Sequence, residues 1–271
     1  MLYLILSVLC SVMIANLLKL FRLRYPVPIL HIFLGNYLFA ALFSYGIKPF
    51  AFNSLGPLEL ILGGITGLLF LVNFLLYERN IRLNGISLSV AAMRVSLLVP
   101  TLVSLFLFHE HISTSNAIGI AVVVAALAAG RRLAVTHVFW LLLLFVLTGI
   151  TDTSMKVYEV YGRWPENVFL AVVFASAFLV NGAVVLARRA TLRPRALLLG
   201  VILGLPNQLT SLFLLKALGQ LPGAIVYPLS ASAIVLVSVV SDVTIWRTRL
   251  KRNQVLFLLA IIAGIVLLNI R

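Results

Sequence analysis

LNGISLSVAAMRVSLLVPTLVSLFLFHEHISTSNAIGIAVVVAALAAG, residues 83–130, is the stretch on which the fold turns. It reads as two apolar helices, each close to bilayer length, joined by a short polar turn at His109–Asn116. About 20 apolar residues carry a helix across roughly 30 Å of hydrocarbon. Inside the first helix sits one charge, Arg94, where lipid tolerates it least. A fainter copy of the stretch runs from Leu221 to the C-terminus, with WRTRLKRNQ as its turn.

Working outward, the composition agrees. The 271 residues are 62% hydrophobic and 10% charged, and the mean hydropathy is +1.15. A soluble domain of this size needs far more polar surface. Ten spans fit, near 2–21, 27–46, 57–77, 84–107, 114–130, 136–156, 166–187, 195–216, 222–245 and 253–270. The expected fold is therefore all-α and transmembrane. A net charge of +14 would ordinarily suggest nucleic acid. Here the basic residues sit between apolar runs, where they orient helices, so nucleic acid is not an expected partner. Fifteen of the 21 Lys and Arg fall at or beside turns after odd-numbered spans, five fall at the other turns and the C-terminus, and Arg94 is the last. That bias puts the odd-numbered turns in the cytoplasm of a multi-pass plasma (inner) membrane protein. Cys10, the one cysteine, allows no internal disulfide.

The halves 1–131 and 132–271 echo each other. Lys19 recurs as Lys156, Gly63-x-x-x-Gly67 as Gly200-x-x-x-Gly204, and Leu83-x-Gly85 as Leu221-x-Gly223. Five spans per half make the second half enter the membrane inverted. The expectation is two inverted five-helix repeats around a central cavity, a plan many secondary transporters use.

Several residues are candidates for chemistry. Arg94 shares a helix face with Ser87 and Thr101, and Pro100 removes a backbone donor nearby. Its guanidinium suits an anionic group on a substrate, or else a structural pair with Asp152, Asp242 or a carbonyl. Asp152 and Lys156 have the spacing of an ion pair within one helix. Asp152 and Asp242 are the candidates for a coupling proton. Lys19 and Lys156 lie near span ends, where they either lend positive potential or reach out to headgroups. Tyr227, Asn36, Asn73 and Asn207 either shape a substrate cavity or bond between helices. The two GxxxG pairs read as close helix packing. His109-Glu110-His111 reads as a polar surface turn, because alternate residues share no helix face and no third metal ligand is near. No nucleophile–base pair, phosphate loop or nucleotide motif occurs, so neither an enzyme nor a cofactor is expected.

At this point a resemblance appears. LFLFHEHISTSNAIGIAVVVAALA, residues 105–128, resembles the end-of-span-four signature of EamA-type members of the drug/metabolite transporter superfamily, and LKALGQLPGAIVYPLSASAIVLVSVV, residues 215–240, is similar to its second-half counterpart. The resemblance implies a secondary transporter of small metabolites. Thr248 stands where the second half would repeat Glu110, and Ser232 stands opposite Arg94. The charge bias also departs from the family's usual cytoplasmic termini. The expectation is an exporter of a small polar, amino-acid-like or anionic metabolite, working by alternating access. Two alternatives stay open: a multidrug or hydrophobic-cation exporter of the same fold, and a non-transporting scaffold or lipid-handling protein.

Overall fold

The computed structural model describes the chain except residues 26, 52–54, 130–136, 190, 248–258, 260–261, 265–266 and 268–271. Inside helices, the side chains at 22, 78, 81–82, 84–88, 90–91, 94, 123–124, 126–129 and 242 also lie outside the described residues. Nine helices are laid out among the described residues: α1 (Leu2–Arg24), α2 (Ile29–Ile47), α3 (Pro57–Val95), α4 (Leu98–Phe106), α5 (Thr114–Ala129), α6 (Val138–Tyr161), α7 (Glu166–Ala187), α8 (Pro194–Leu218) and α9 (Gly223–Thr244). Among the described residues, seven segments are long and apolar enough to cross a membrane: Leu2–Phe21, Ile29–Ile47, Pro57–Tyr77, Val138–Tyr161, Glu166–Ala187, Pro194–Leu218 and Gly223–Ser241. Their outward faces are apolar. Leu2, Ile5, Leu9 and Met13 form an exposed stripe along α1, at the three- and four-residue spacing of one helix face. Water would penalise such stripes and hydrocarbon accepts them. This is a multi-pass helical membrane protein.

Two expectations about helix ends are corrected. The turn expected near 78–83, between spans three and four, is helical, and α3 continues through it to Val95. ERNIRLN is polar but holds neither Pro nor Gly, and Arg, Leu, Asn and Ile all sit in a helix at modest cost. The break falls instead at Ser96-Leu97, within expected span four. Pro100 has no N–H to give to the carbonyl four residues back, so the Ser96 oxygen takes the Val99 N–H at 2.9 Å instead. The tenth expected span lies mostly outside the described residues.

The chain packs as two compact units, and neither is a sequence half. Unit 1 comprises Met1–Val72 and Val157–Ala217; unit 2 comprises Asn73–Lys156 and Leu218–Arg271. Each therefore mixes helices from both halves.

In unit 1, α2 and α7 run antiparallel. Asn181 donates to the Leu30 carbonyl at 3.0 Å, Asn167 donates to that of Ser44 at 3.3 Å, and Tyr37 stacks on Phe174 between them. Small residues let α3 and α8 approach this pair. A Cβ at Gly67 would overlap the Val173 carbonyl oxygen, and one at Gly200 would overlap that of Ile32. Phe21, Ile32, Ala196, Leu199 and Leu203 close an apolar core between α1, α2 and α8.

In unit 2, α4 and α5 both pack against α9. Asn73 on α3 donates to Thr151 Oγ1 at 2.6 Å and to the Leu147 carbonyl at 3.3 Å on α6. Arg79 lies over the Trp140 ring at 3.7 Å, and Asn80 donates to the Trp140 carbonyl at 2.8 Å.

Contacts recur at an offset of 137 residues. Gly63 meets Phe169 and Val172, while Gly200 meets Ile32 and Gly35; Gly67 meets Val173 and Ser176, while Gly204 meets Asn36 and Phe39. Tyr37 and Phe174, themselves 137 apart, meet each other. Lys216 over Tyr3 matches Arg79 over Trp140. The exposed stripe of α1 returns on α6 as Phe139, Leu142, Val146 and Ile150, and Ile61, Ile65 and Leu68 of α3 return on α8 as Leu198, Ile202 and Leu205.

Candidate functional site

The described site with the densest polar chemistry lies in unit 2, where the turn after α4 meets the start of α9. His109 takes a left-handed backbone conformation, φ 51°, which histidine tolerates better than most residues. The chain reverses there, and the Glu110 N–H returns to the Ser104 carbonyl at 3.2 Å. Ser113 and Asn116 then cap α5 reciprocally: the Ser113 N–H gives to Asn116 Oδ1, and the Asn116 N–H to Ser113 Oγ, each at 3.2 Å.

This reversal aims the Glu110 carboxylate at the first turn of α9. It accepts the Gly223 N–H at 3.0 Å and the Ala224 N–H at 2.8 Å. Those donors have no partner within their own helix, and the helix dipole favours negative charge there. Lys156 Nζ lies 2.9 Å from Glu110 Oε1 and 5.9 Å from the centre of the Phe108 ring. Both side chains are largely buried, Lys156 at 6% and Glu110 at 13% exposure. Burial pushes the Glu110 pKa up, but the Ala224 N–H, the Lys156 ammonium and the Gly223 N–H outweigh it. The carboxyl is held below its ordinary value. Gly223 fits because any Cβ there would overlap Ser104 Oγ. One turn on, Tyr227 is fully buried and donates to the Asp152 carbonyl at 2.9 Å.

These contacts revise the expected roles. Glu110 is an anchor joining α4, α6 and α9 of unit 2, and the surface-turn reading of it is withdrawn. Lys156 is paired with Glu110; that partner is distant in sequence, which the four-residue spacing to Asp152 concealed. Tyr227 and Asn73 spend their polar atoms on helix-to-helix bonds. Lys19 is exposed on α1, and Asn207 and Asp152 are half-buried. The side chains of Arg94, Ser87 and Asp242 lie outside the described residues; the Arg94 backbone is the penultimate residue of α3, just before the Pro100-induced break. Among the described residues no three His, Cys, Asp or Glu gather as a metal site.

Asn36 stands apart from these. It is fully buried in unit 1, and neither side-chain polar atom has a hydrogen-bond partner among the described residues. Gln208, absent from the expected site, is in the same condition. Its only signal in the sequence is the run Pro206-Asn207-Gln208 inside an apolar span.

No family model matches the chain. A protein from Haemophilus influenzae, described only as uncharacterized, is 29% identical over 234 residues, covering 79% of this chain and 78% of that one. A crystal structure, described only as that of a protein, has a TM-score of 0.79 and 16% identity, covering 99% of this chain and 96% of that one. The second likeness is one of fold.

Proposed function

We propose that the protein is a secondary transporter of a small polar, amino-acid-like or anionic metabolite, of the EamA type, working by alternating access in the plasma membrane. The observation that carries this reading is the recurrence of contacts 137 residues on. Glycine approaches, ring–cation pairs and exposed stripes all repeat at that offset. Tyr37 meeting Phe174 is the self-complementary contact that a two-fold relation between repeats requires. Inverted repeats give a membrane protein two equivalent states of opposite access, and many secondary transporters are built that way. The charge bias supports odd-numbered turns in the cytoplasm. In this reading Arg94 binds the anionic group of the substrate. A charged residue within an apolar stretch is costly in a membrane unless it is used.

The test uses purified protein in proteoliposomes loaded with an isotope-labelled metabolite extract. Wild-type protein is expected to release a defined subset of labelled solutes, and Arg94→Ala to lose that release while eluting as a monodisperse species. Release equal to that of protein-free liposomes overturns the transporter reading. Wild-type release by Arg94→Ala overturns the role of Arg94.

A further inference from the structure

We infer that Asn36 on α2 and Gln208 on α8 form, within unit 1, a binding site for an uncharged solute that both donates and accepts hydrogen bonds, such as a carboxamide or a polyol. Both side chains are fully buried, and all four of their polar atoms lack a protein partner. A buried carboxamide without partners costs stability, and such exceptions in a folded protein call for a reason.

The two residues belong to one place in the fold. Gly200, Gly204 and Gln208 follow at four-residue spacing on one face of α8. That face meets the α2 backbone at Asn36: a Cβ at Gly204 would lie 2.9 Å from the Asn36 backbone carbonyl oxygen, and one at Gly200 would lie 2.7 Å from the Asn36 backbone nitrogen. Helical side chains lean toward the N-terminus, so a side chain at 208 covers the turn at Gly204.

A second, independent observation removes packing as the reason. The residues 137 away are Val173 for Asn36 and Leu71 for Gln208, in the matching crossing of α3 on α7. Both are buried. The fold fills these positions with aliphatic side chains in one copy, so it does not need amides in the other.

The amides also select the chemistry. Each presents an NH2 donor and a carbonyl acceptor. An anion would satisfy the donors and leave the carbonyl oxygens facing negative charge, and a cation would do the reverse. A neutral group with both functions satisfies all four atoms. The inference rests on the transporter reading for what becomes of the solute, but not for its binding.

The experiment compares thermal unfolding midpoints of full-length protein in lipid nanodiscs for wild type, Asn36→Val and Gln208→Leu. Each is measured alone and with acetamide, nicotinamide, glycerol, ribose or uridine, with acetate and tetramethylammonium as charged controls. Without solute, both variants are expected to unfold at or above the wild-type midpoint, because each loses an unpartnered buried amide. At least one neutral solute is expected to raise the wild-type midpoint, with its apparent affinity weakened tenfold or more in each variant, and any shift from the charged controls is expected to be the same in the variants as in wild type. Equal shifts by the neutral solutes in variants and wild type, no shift of wild type by any neutral member, a shift from a charged control that the variants lose, or a lowered midpoint in the unliganded variants overturns the site. Binding with no flux in proteoliposomes keeps this site and removes the transporter reading. Flux retained in both variants, with unchanged binding, does the opposite.

Discussion

Glu110 shows how one carboxylate can hold three helices of unit 2 together. Its two oxygens take two backbone donors of α9 and the ammonium of Lys156. Breaking a buried pair leaves a charge without compensation, so Glu110→Gln is expected to destabilise the protein by about 3 kcal/mol. Lys156→Met should cost less, because the α9 donors still hold the carboxylate. The double variant should cost less than the two single losses added together, which a double-mutant cycle on unfolding midpoints reads directly. The sign of the pH effect follows from the lowered pKa. This stabilisation is complete above the ordinary carboxylate pKa, about 4.3, and is lost as pH falls through the lowered folded-state value. Wild-type stability should therefore drop more steeply in acid than that of Glu110→Gln, with the difference constant from neutral pH down to about 5. The sequence places Glu110 in a polar turn, but its role depends on partners 46 and 113 residues away, which no local pattern exposes.

At the scale of elements, helix crossings are set by missing side chains. Gly67→Ala and Gly200→Ala would each drive a methyl into a neighbouring carbonyl, and each is expected to cost about 1–3 kcal/mol. Gly64 has nothing within 4 Å of a Cβ, so Gly64→Ala should be neutral or stabilising by up to about 1 kcal/mol. Thermal midpoints of the three variants check this ranking. GxxxG spacing made these crossings legible in advance. Helix ends were less so. Hydropathy placed a turn at 78–83 because the residues are charged, yet charge does not end a helix when no Pro or Gly is present. The effect of Pro100 was visible from chemistry alone, and the break lies at Ser96, whose carbonyl takes the Val99 N–H in place of the donor that residue 100 lacks.

For the whole molecule, the sequence carries the apolar spans and the two-fold echo of its halves, because lipid demands a hydrophobic length that any reader can count. It does not carry the packing, since helices of both halves interleave in each unit. Topology is testable at this scale through the single cysteine. In a Cys10→Ser background, cysteines placed at the exposed positions 24 and 191 should be shielded from a membrane-impermeant maleimide added to intact cells, and one placed at 48 should react. The reverse labelling would invert the assigned orientation. The most direct test of the central claim remains solute flux in proteoliposomes loaded with labelled extract. Wild-type protein is expected to release a defined set of small polar solutes, and Arg94→Ala to release none above protein-free liposomes. Identical release from all three preparations would contradict that claim.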